Sequence, residues 1–255
     1  MFRISGLTEE LEPAFWKLVS QDPLDYYFFI LDLRRRPEKT RVFLALEKQK
    51  ICGLMLIYDD EIAQLRGAPE SYPLLLSKLT KAKVQITAPL NSKKILLAKY
   101  PAATLQENLM LMRLEKLNKP DKIARGVKNL EPDASEEITS LMQRTNPVWW
   151  SGIQSSDVRK SFEDSFWLGI RKAGRLVSVG EARSLEVGGH VVIAATDEGF
   201  RNKGYATSIV SVMVERLLKT TKAVLIFVLE ANLAAVRAYE KVGFAPYGCY
   251  FVLRT

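Results

Sequence analysis

The chain has 255 residues, of which 47% are hydrophobic and 26% are charged, and its formal net charge is +8 at pH 7. These values are typical of a soluble globular protein with one large core or two ordinary ones. The longest apolar runs, such as ICGLMLIY at residues 51–58, are far shorter than the roughly 20 residues that span a bilayer. The acidic start MFRISGLTEELE does not fit a signal peptide. We therefore expect a cytoplasmic protein of two domains without a membrane segment.

The cysteine and histidine content does not support a metal site. Cys52 and Cys249 lie in different halves of the chain, without the spacing of metal ligands or of a redox pair. We expect two reduced, mostly packed thiols. The single histidine, His190, follows a pair of glycines and is expected to have a structural or surface role.

The basic excess lies mainly in the first half of the chain, and its densest stretch is RRRPEKTR at residues 34–41. Such a stretch is more typical of a solvated loop than of a binding patch. No aromatic-flanked basic motif accompanies it, so the sequence does not favour a nucleic-acid partner. Nucleic-acid binding through the first half stays an alternative, which predicts a steep dependence of binding on salt.

The two halves of the chain show a faint repeat. FRISGLTEELEPAFWKLV, from Phe2, predicts a short strand and a helix, and RVFLALEKQKICGLMLIY predicts a β-hairpin. The same order returns at nearly the same offset in ARGVKNLEPDASEEITSLM, from Ala124, and in FWLGIRKAGRLVSVGEA. This favours a tandem of two related α/β domains. The join is predicted in KLNKPDKIARG, residues 116–126, which gives domains of residues 1–117 and 118–255.

The periodicity of the second half predicts alternating strands and helices. The expected elements are a strand near 122–127, a helix at 133–144, a hairpin at 166–186, a turn at Gly188 and Gly189, and a strand at 190–195. An amphipathic helix follows Gly204, AVLIFVLE is a buried strand, and NLAAVRAYEKVG is a helix with Asn232 at its N-cap and Gly243 past its end.

The turn at Gly204 is predicted to bind an anion. A strand that runs through a glycine into a helix places unpaired N–H groups and the positive end of the helix dipole around one point. Gly199 and Gly204 match the G-x-x-x-x-G spacing of a nucleotide-triphosphate loop, but Tyr205 and Ala206 stand where that loop needs Lys and Ser or Thr. The dinucleotide fingerprint G-x-G-x-x-G is absent as well. A plain structural turn stays the alternative.

Two motifs resemble those of the GCN5-related N-acetyltransferase (GNAT) superfamily. ATDEGFRNKGYA is similar to its pyrophosphate-binding motif [QR]-x-x-G-x-[GA], filled by Arg201, Gly204 and Ala206. EANLAAVRAYEKVGF is similar to N-x-x-A-x-x-x-Y-x-x-x-G-F, which begins at Asn232 and includes Tyr239. The resemblance covers about residues 122–255 and is nearest to the glycine N-acyltransferase-like (FR47-like) branch.

This resemblance implies the fold and the reaction. It implies tandem GNAT-like domains of α/β (α+β) class, each a mixed, mostly antiparallel twisted sheet flanked by helices. The implied reaction transfers an acetyl or acyl group from acetyl-CoA to a primary amine by direct attack, without a metal. The acceptor would be a small-molecule or peptide amine, and the protein would be a monomer or homodimer.

The resemblance also assigns residues. Those implied to bind the cofactor are Ala194, Ala195, Thr196, Arg201, Asn202, Lys203, Gly204, Tyr205, Ala206, Thr207 and Asn232. A backbone N–H near Ala195 would polarise the thioester carbonyl. Tyr239 matches the position of the general acid, and packing of this tyrosine on the sheet is the alternative.

The sequence also offers candidates for the general base and for the residues that line the acceptor pocket. Glu181, on the predicted hairpin, is the first candidate for a base that acts through water, although a solvent-facing carboxylate and a base made only of water are alternatives. Trp149 and Trp150, in NPVWWSG, lie where the family shapes its acceptor pocket. They are predicted to line that pocket or to pack on the core.

The first half departs from the family motif. EIAQLRGAPESYPLLL offers Gly67 and then Pro69 after its strand, without [QR]-x-x-G-x-[GA]. We therefore expect this domain to lack a coenzyme site, to cover an edge of the catalytic domain and to complete the acceptor site. A different class of function is a catalytically silent acetyl-CoA sensor whose basic first domain docks a partner.

Overall fold

The computed structural model describes residues 2–118 and 126–255. In these ranges the strands are β1 (Arg3–Gly6), β2 (Thr40–Glu47), β3 (Lys50–Tyr58), β4 (Ile62–Gly67), β5 (Gln85–Pro89), β6 (Leu105–Leu114), β7 (Val127–Leu130), β8 (Phe166–Lys172), β9 (Arg175–Leu185), β10 (Gly188–Thr196), β11 (Val224–Leu229) and β12 (Ala245–Arg254). The helices are α1 (Glu12–Val19), α2 (Tyr27–Arg35), α3 (Tyr72–Leu75), α4 (Lys93–Lys99), α5 (Ser135–Thr145), α6 (Pro147–Trp150), α7 (Ser155–Ser161), α8 (Tyr205–Leu217) and α9 (Leu233–Val242). Both halves run through a similar series of strands and helices, as a tandem repeat predicts, although three helices follow β7 and only two follow β1.

Contacts group the chain into two compact units. Unit 1 comprises Met1–Leu111, Leu229–Ala231 and Tyr247–Thr255, and unit 2 comprises Met112–Val228 and Asn232–Pro246. The last segment groups with unit 1 because β12 pairs with β5, where Phe251 lies opposite Ala88. The proposed division between residues 117 and 118 stays a prediction, since residues 119–125 lie outside the described ranges.

Unit 1 contains a mostly antiparallel sheet in the order β1-β2-β3-β4-β5-β12. Every neighbouring pair is antiparallel except β4 and β5, which are parallel. Its core is made of apolar side chains from the sheet and from α3 and α4, among them Met55, Leu65, Leu75, Leu96 and Phe251. Burial of these side chains stabilises the unit in proportion to the apolar area that is removed from water.

A buried cation sits at the end of β4. Arg66 donates from Nε to Asp25 Oδ1 at 2.8 Å, from Nη2 to the Asp25 carbonyl at 3.0 Å and from Nη1 to the Leu65 carbonyl at 2.9 Å. Its guanidinium carbon lies 4.4 Å from the centre of the Tyr250 ring. The Tyr250 hydroxyl donates to the same Asp25 carboxylate, and burial is the first cause that raises the pKa of this tyrosine. Such a cluster is tolerated because each buried polar group has a partner.

Asp25→Asn is expected to lower the free energy of unfolding of unit 1 by about 1.5–3 kcal/mol, because a hydrogen bond to a charged group is replaced by a neutral one beside a buried cation. The Arg66 side chain is only 2% exposed, so water cannot compensate. Hydrogen exchange of the β4 and β12 amides measures this loss. Asp59→Asn is the matched control: its ion pair with Lys39 is exposed and should contribute less than about 1 kcal/mol. Equal losses in the two variants would contradict the prediction.

Unit 2 contains a sheet in the order β11-β10-β9-β8-β7. β7, β8, β9 and β10 pair antiparallel, whereas β10 and β11 are parallel. Parallel neighbours need a crossover, which α8 provides between these two strands. The core on the other side of the sheet from α8 includes Ile138, Leu141, Trp167, Val179 and Ile193, with helices α5 and α7 above it. This arrangement covers both faces of the central strands.

Two glycines let α8 approach the sheet closely. A Cβ on Gly180 would lie 2.6 Å from Ile209 Cγ2 and from Met213 Cε, and a Cβ on Gly189 would lie 2.9 Å from Leu217 Cβ. The three helix residues, spaced four apart, form the buried stripe of α8. Glycine at these strand positions therefore sets the distance between the helix and the sheet.

Most local predictions for the second half agree with the structure, with bounds shifted by a few residues. The predicted turn at Gly188 and Gly189 is wrong, since both residues lie in β10, where Gly189 makes room for a helix and does not turn the chain. The thiols are less packed than expected, because Cys52 is half-buried and Cys249 is exposed, although both are free. Of the predicted strand at 122–127, only Gly126 and Val127 lie within the described residues.

Candidate active site

The strands β10 and β11 separate in the middle of unit 2. Their parallel register runs only from Gly189 to Val191, while β10 stays paired with β9 as far as Thr196. The register with β9 shifts between Val191 and Ile193, which is typical of a β-bulge. Beyond the bulge β10 therefore turns one edge of its backbone away from β11, and an extended ligand can pair with such an edge as an added strand would. Ala194, Ala195 and Thr196 lie on this separated end.

The glycine turn follows this strand end and opens α8. Gly204 has φ +77° and ψ 8°, the left-handed conformation that favours glycine, and Asn202 is also left-handed with φ +61°. No side chain among the described residues caps α8. The first helical hydrogen bond runs from the Ser208 N–H to the Gly204 carbonyl, so the N–H groups of Tyr205, Ala206 and Thr207 point out of the helix end. A Cβ on Gly204 would meet nothing within 4 Å, so the turn lies open.

Cations surround this turn. Arg201 donates to the Thr196 carbonyl at 3.2 Å, and Lys203 donates to the Gly199 carbonyl at 3.2 Å. Both side chains belong to exposed residues. The sequence analysis missed Lys172, whose ammonium lies 5.5 Å from the centre of the Tyr205 ring. It stands at the end of β8, and only the pairing of β8 with β9 brings it to the start of α8, so no local motif could reveal it.

Asp197 holds two further arginines at the strand end. Its carboxylate forms ion pairs with Arg175 and, at 3.4 Å, with Arg144. Its backbone N–H donates to the Val177 carbonyl at 2.9 Å, which fixes the residue where β10 leaves the sheet. Both arginine side chains are about half exposed, so the rim of the turn is basic over more residues than the motif alone contains.

Tyr239 lies on the buried face of α9. Its side chain is 5% exposed and meets the Phe244 ring edge-on, with 6.1 Å between the centroids. Burial raises its pKa to about 12, so the hydroxyl keeps its proton at neutral pH. Asn232 is the N-cap of this helix, as predicted, and accepts from the Ala235 N–H at 3.2 Å. Its side chain therefore has a structural task besides any contact with a ligand.

Glu181 is buried on β9. It lies opposite Ile193, just past the bulge, and opposite Trp167 of β8. Its Oε1 accepts from Ser165 Oγ at 2.7 Å and lies 3.5 Å from Arg183 Nη2. The expected solvent-facing alternative is thus wrong, because the side chain is only 8% exposed. Pairing of β9 with β10 therefore places this carboxylate beside the separated end of β10.

The two tryptophans occupy α6. Asn146 caps this short helix by accepting from the Trp149 N–H at 3.3 Å. Trp150 packs against the core under α5, together with Ile153 and Phe162. Trp149 is half-buried, whereas its neighbour Val148 is 61% exposed. The structure therefore gives Trp150 a packing role, and both tryptophans are half-buried.

His190 lies inside the sheet, opposite Arg183 of β9 and Leu225 of β11. It is buried, so the expected surface role is wrong, and the structural alternative describes its position. Burial first, and the charge of Arg183 second, lower its pKa well below the ordinary 6.5. A group with a lowered pKa binds fewer protons in the folded state, so stability falls as the pH drops below the unfolded pKa.

We therefore expect the free energy of unfolding to fall by up to ~1.4 kcal/mol per pH unit as the pH decreases from about 6.5, beyond the effect of carboxylates. His190→Gln should remove this part of the slope, since the chain has no other histidine. Urea unfolding of both proteins at several pH values from 7.5 to about 5.5 measures it. Parallel curves for the two proteins would show that the folded and unfolded states of His190 bind protons alike.

The corresponding place in unit 1 is built differently. β4 pairs with β5 only from Ile62 to Gln64, so these strands separate as well, but buried Arg66 lies at the separated end. Gly67 has φ +92°, and a Cβ there would lie 2.3 Å from the Cys52 carbonyl oxygen. The helix that follows, α3, has only four residues. In unit 1, the close contact between Gly67 and the Cys52 backbone and the buried Arg66 side chain thus occupy the place that the open glycine turn has in unit 2.

Among the described residues, no three or more His, Cys, Asp or Glu side chains converge as metal ligands would. Within the same ranges, each helix is too short or too polar to cross a bilayer.

Comparison with known proteins assigns the second half of the chain. Residues 135–244 match the model of the acetyltransferase (GNAT) family. Over this segment the chain is similar to the GNAT family. The match begins at α5 and ends at Phe244, so the GNAT domain contains the separated strands, the glycine turn, α8 and α9. The resemblance inferred from the two motifs is thereby confirmed. No curated protein matches the sequence.

Solved structures share the fold over the whole chain. A GCN5-related N-acetyltransferase from Sphaerobacter thermophilus is 13% identical with a TM-score of 0.63, and the match covers 100% of this chain and 95% of that one. A Drosophila protein is 9% identical with a TM-score of 0.71, over 100% and 99% of the two chains. A tandem GNAT protein from the clavulanic acid biosynthesis pathway is 10% identical with a TM-score of 0.60, over 100% and 98%. At these identities the likeness concerns the fold, and it confirms the predicted tandem GNAT-like architecture.

Proposed function

We propose that the GNAT domain transfers an acetyl or acyl group from a coenzyme A thioester to a primary amine. The observation that carries this proposal is the open, uncapped start of α8 at left-handed Gly204, directly after a strand whose edge has left its neighbour. The match of residues 135–244 to the GNAT family model supports acyl transfer in general. The donor, the acceptor and the role of each residue are the proposed part.

The glycine turn would hold the pyrophosphate of the donor. The N–H groups of residues 202–207 and the dipole of α8 favour an anion there, and Arg201, Lys203 and Lys172 add positive charge at the rim. The pantetheine arm would pair with the separated edge of β10 at Ala194, Ala195 and Thr196. Asn232 lies at the start of α9, where it would border the same arm.

The chemistry needs an activated carbonyl and a leaving sulfur. A bound thioester supplies an acyl group already activated for attack by an amine. The backbone N–H near Ala195 would donate to the carbonyl oxygen, where negative charge develops. Tyr239, protonated at neutral pH because burial raises its pKa to about 12, would donate its hydroxyl proton toward the sulfur as the bond to carbon breaks.

The amine must lose a proton before it attacks, since a free alkylammonium group has a pKa of about 10.4. Glu181 is proposed to receive this proton through water, because its buried carboxylate lies opposite Ile193 at the start of the separated edge. Ser165 and Arg183 hold that carboxylate in place. Trp149 is proposed to line the acceptor pocket, and Trp150 to support it through its packing on the core.

Unit 1 is proposed to bind no donor. Its separated strands end on buried Arg66, and the four-residue α3 is too short to offer a helix terminus for an anion. A full-length chain should therefore bind one acetyl-CoA and not two. Unit 1 is also proposed to cover and complete the acceptor side of the GNAT domain.

Calorimetric titration of the full chain with acetyl-CoA tests the proposal, followed by a CoA-release assay with a panel of primary amines. Binding at one site per chain and amine-dependent release of CoA would support it. Binding without release for any amine would favour the silent sensor. The absence of binding would refute both readings.

A further inference from the structure

Lys172 and Arg175 stand directly opposite each other at the end of the β8–β9 hairpin. The two residues between them, Ala173 and Gly174, are both left-handed, with φ of 48° and 79°, as in a two-residue type I′ turn. This turn holds the two flanking cations side by side. Like charges in such a pair destabilise a sheet, and natural sequences tend to break local rules of this kind at functional sites. The stability of unit 2 therefore does not explain the pair.

The two cations differ in their partners. Arg175 forms an ion pair with Asp197, so a carboxylate compensates its charge. Lys172 forms no ion pair in the part of the chain that the structure describes, and its side chain is exposed. Its ammonium lies 5.5 Å from the centre of the ring of Tyr205, the first residue of α8, and a cation at this distance is attracted to an aromatic ring. An uncompensated positive charge thus lies at the start of α8.

The positive charge at this turn exceeds what a pyrophosphate needs. The pyrophosphate diester of coenzyme A carries two negative charges, and its proposed partners Arg201 and Lys203 supply two positive ones. These side chains donate to the carbonyls of Thr196 and Gly199, and neither forms an ion pair with a described residue, so both charges are available. Lys172 is a third uncompensated cation beside the same helix start. By charge complementarity, it indicates a further negative group in the ligand.

Coenzyme A carries such a group on its ribose. The 3′-phosphate is a monoester with a charge of about −1.5 to −2 at pH 7 and three strong acceptor oxygens. The same ribose carries the pyrophosphate on its 5′ carbon, so the 3′-phosphate lies beside the glycine turn once the pyrophosphate occupies that turn. A lysine binds phosphate as a point charge on a flexible stem, which suits an exposed site at the edge of the ligand.

We infer that Lys172 binds the 3′-phosphate of the acyl donor and makes the GNAT domain select coenzyme A thioesters over their dephospho forms. The inference rests on the proposed function and adds a specificity-determining residue to it. It also gives the like-charged pair a role: Arg175 is held by Asp197 at the strand end, and the turn beside it directs Lys172 toward α8.

Calorimetric titration with acetyl-CoA and with acetyl-dephospho-CoA tests the inference, because the two donors differ only in the 3′-phosphate. The measured quantity is the ratio of the two dissociation constants, in which a general loss of affinity cancels. The wild type should bind acetyl-CoA at least about 5-fold more tightly than the dephospho form. Lys172→Met should lower this ratio about 3- to 10-fold, the effect of losing an exposed ion pair with a doubly charged partner. Lys172→Arg keeps the charge and should keep the ratio.

Arg171→Met is the matched control. Arg171 precedes Lys172 on β8 and carries the same charge, but it pairs with Glu137 of α5, on the other face of the sheet from α8. The variant changes the net charge by the same amount and should keep the wild-type ratio. Equal affinity of the wild type for both donors, or an equal fall of the ratio in Lys172→Met and Arg171→Met, would overturn the inference.

Phosphorus NMR of bound CoA gives a readout that does not depend on turnover. The 3′-phosphate has a resonance separate from that of the pyrophosphate, and a free phosphomonoester titrates with a pKa of about 6. A nearby cation favours the doubly charged form, so binding to the wild type should lower the pKa of the 3′-phosphate, and binding to Lys172→Met should lower it less.

The outcomes separate this inference from the proposed function. A chain that binds acetyl-CoA and releases CoA with an amine, but in whose complex the 3′-phosphate titrates as in free CoA, would refute the inference and leave the proposed function standing. Failure to bind acetyl-CoA, or to release CoA with any amine, would instead refute the proposed function.

Discussion

Gly204→Glu is expected to lower the affinity for acetyl-CoA by at least about 1000-fold, because like charges brought together in a binding site cost several kcal/mol. The new carboxylate would stand at the start of α8, where the pyrophosphate is proposed to bind. Its side chain has room, since a Cβ on Gly204 meets nothing within 4 Å. The variant should therefore fold, and calorimetric titration measures the loss directly.

Two controls separate charge from backbone strain. Gly204→Ala keeps the site neutral but places a Cβ at φ +77°, which costs about 1–2 kcal/mol. Gly6→Glu adds the same charge in unit 1, again with nothing within 4 Å of the new Cβ. The first should bind acetyl-CoA, and the second should bind it as the wild type does. Retained affinity in Gly204→Glu would mean that the turn holds no anion.

Tyr239→Phe is expected to lower kcat by about 100- to 10,000-fold while the affinity for acetyl-CoA changes little, because general acid catalysis contributes in this range. The hydroxyl is removed, but the buried ring and its edge-on contact with Phe244 remain. Steady-state CoA release with an accepted amine measures kcat, and calorimetry measures binding.

Tyr100→Phe is the matched control, since burial raises the pKa of this tyrosine as well, but Tyr100 is half-buried and belongs to unit 1. It should leave kcat unchanged. A Tyr239→Phe enzyme with wild-type kcat would show that Tyr239 only packs. A lower kcat together with a lower melting temperature would instead indicate damage to the fold. The pH dependence of kcat should show no ionisation of Tyr239 below about pH 10, because its pKa lies above the ordinary value.

Local patterns were sufficient where a residue acts through its own backbone or its own helix. Gly204 and Gly243 were predicted at a helix start and a helix end, and both are left-handed there. Asn232 was predicted as an N-cap and accepts from the third helical N–H. Capping and positive φ depend on the nearest few residues, so a single sequence reveals them.

Local patterns failed where strand pairing decides. Gly189 looked like a turn residue, but its neighbour Leu217 is 28 residues away, and only the packing of α8 explains the glycine. Arg183 and His190 stand opposite each other because of the register of β9 and β10, and neither carries a motif. Lys172 reaches the start of α8 for the same reason.

The sequence by itself determined the resemblance to the GNAT family, the order of strands and helices, the glycine turn at the start of α8 and the place of Tyr239 on α9, because these depend on motifs and periodicities within about twenty residues. The tertiary structure alone decided where β10 leaves β11, which side chains are buried without full hydrogen bonding, and that β12 pairs with β5. The physical reason is that burial and strand register are set by groups distant in sequence, whose contacts no local pattern records.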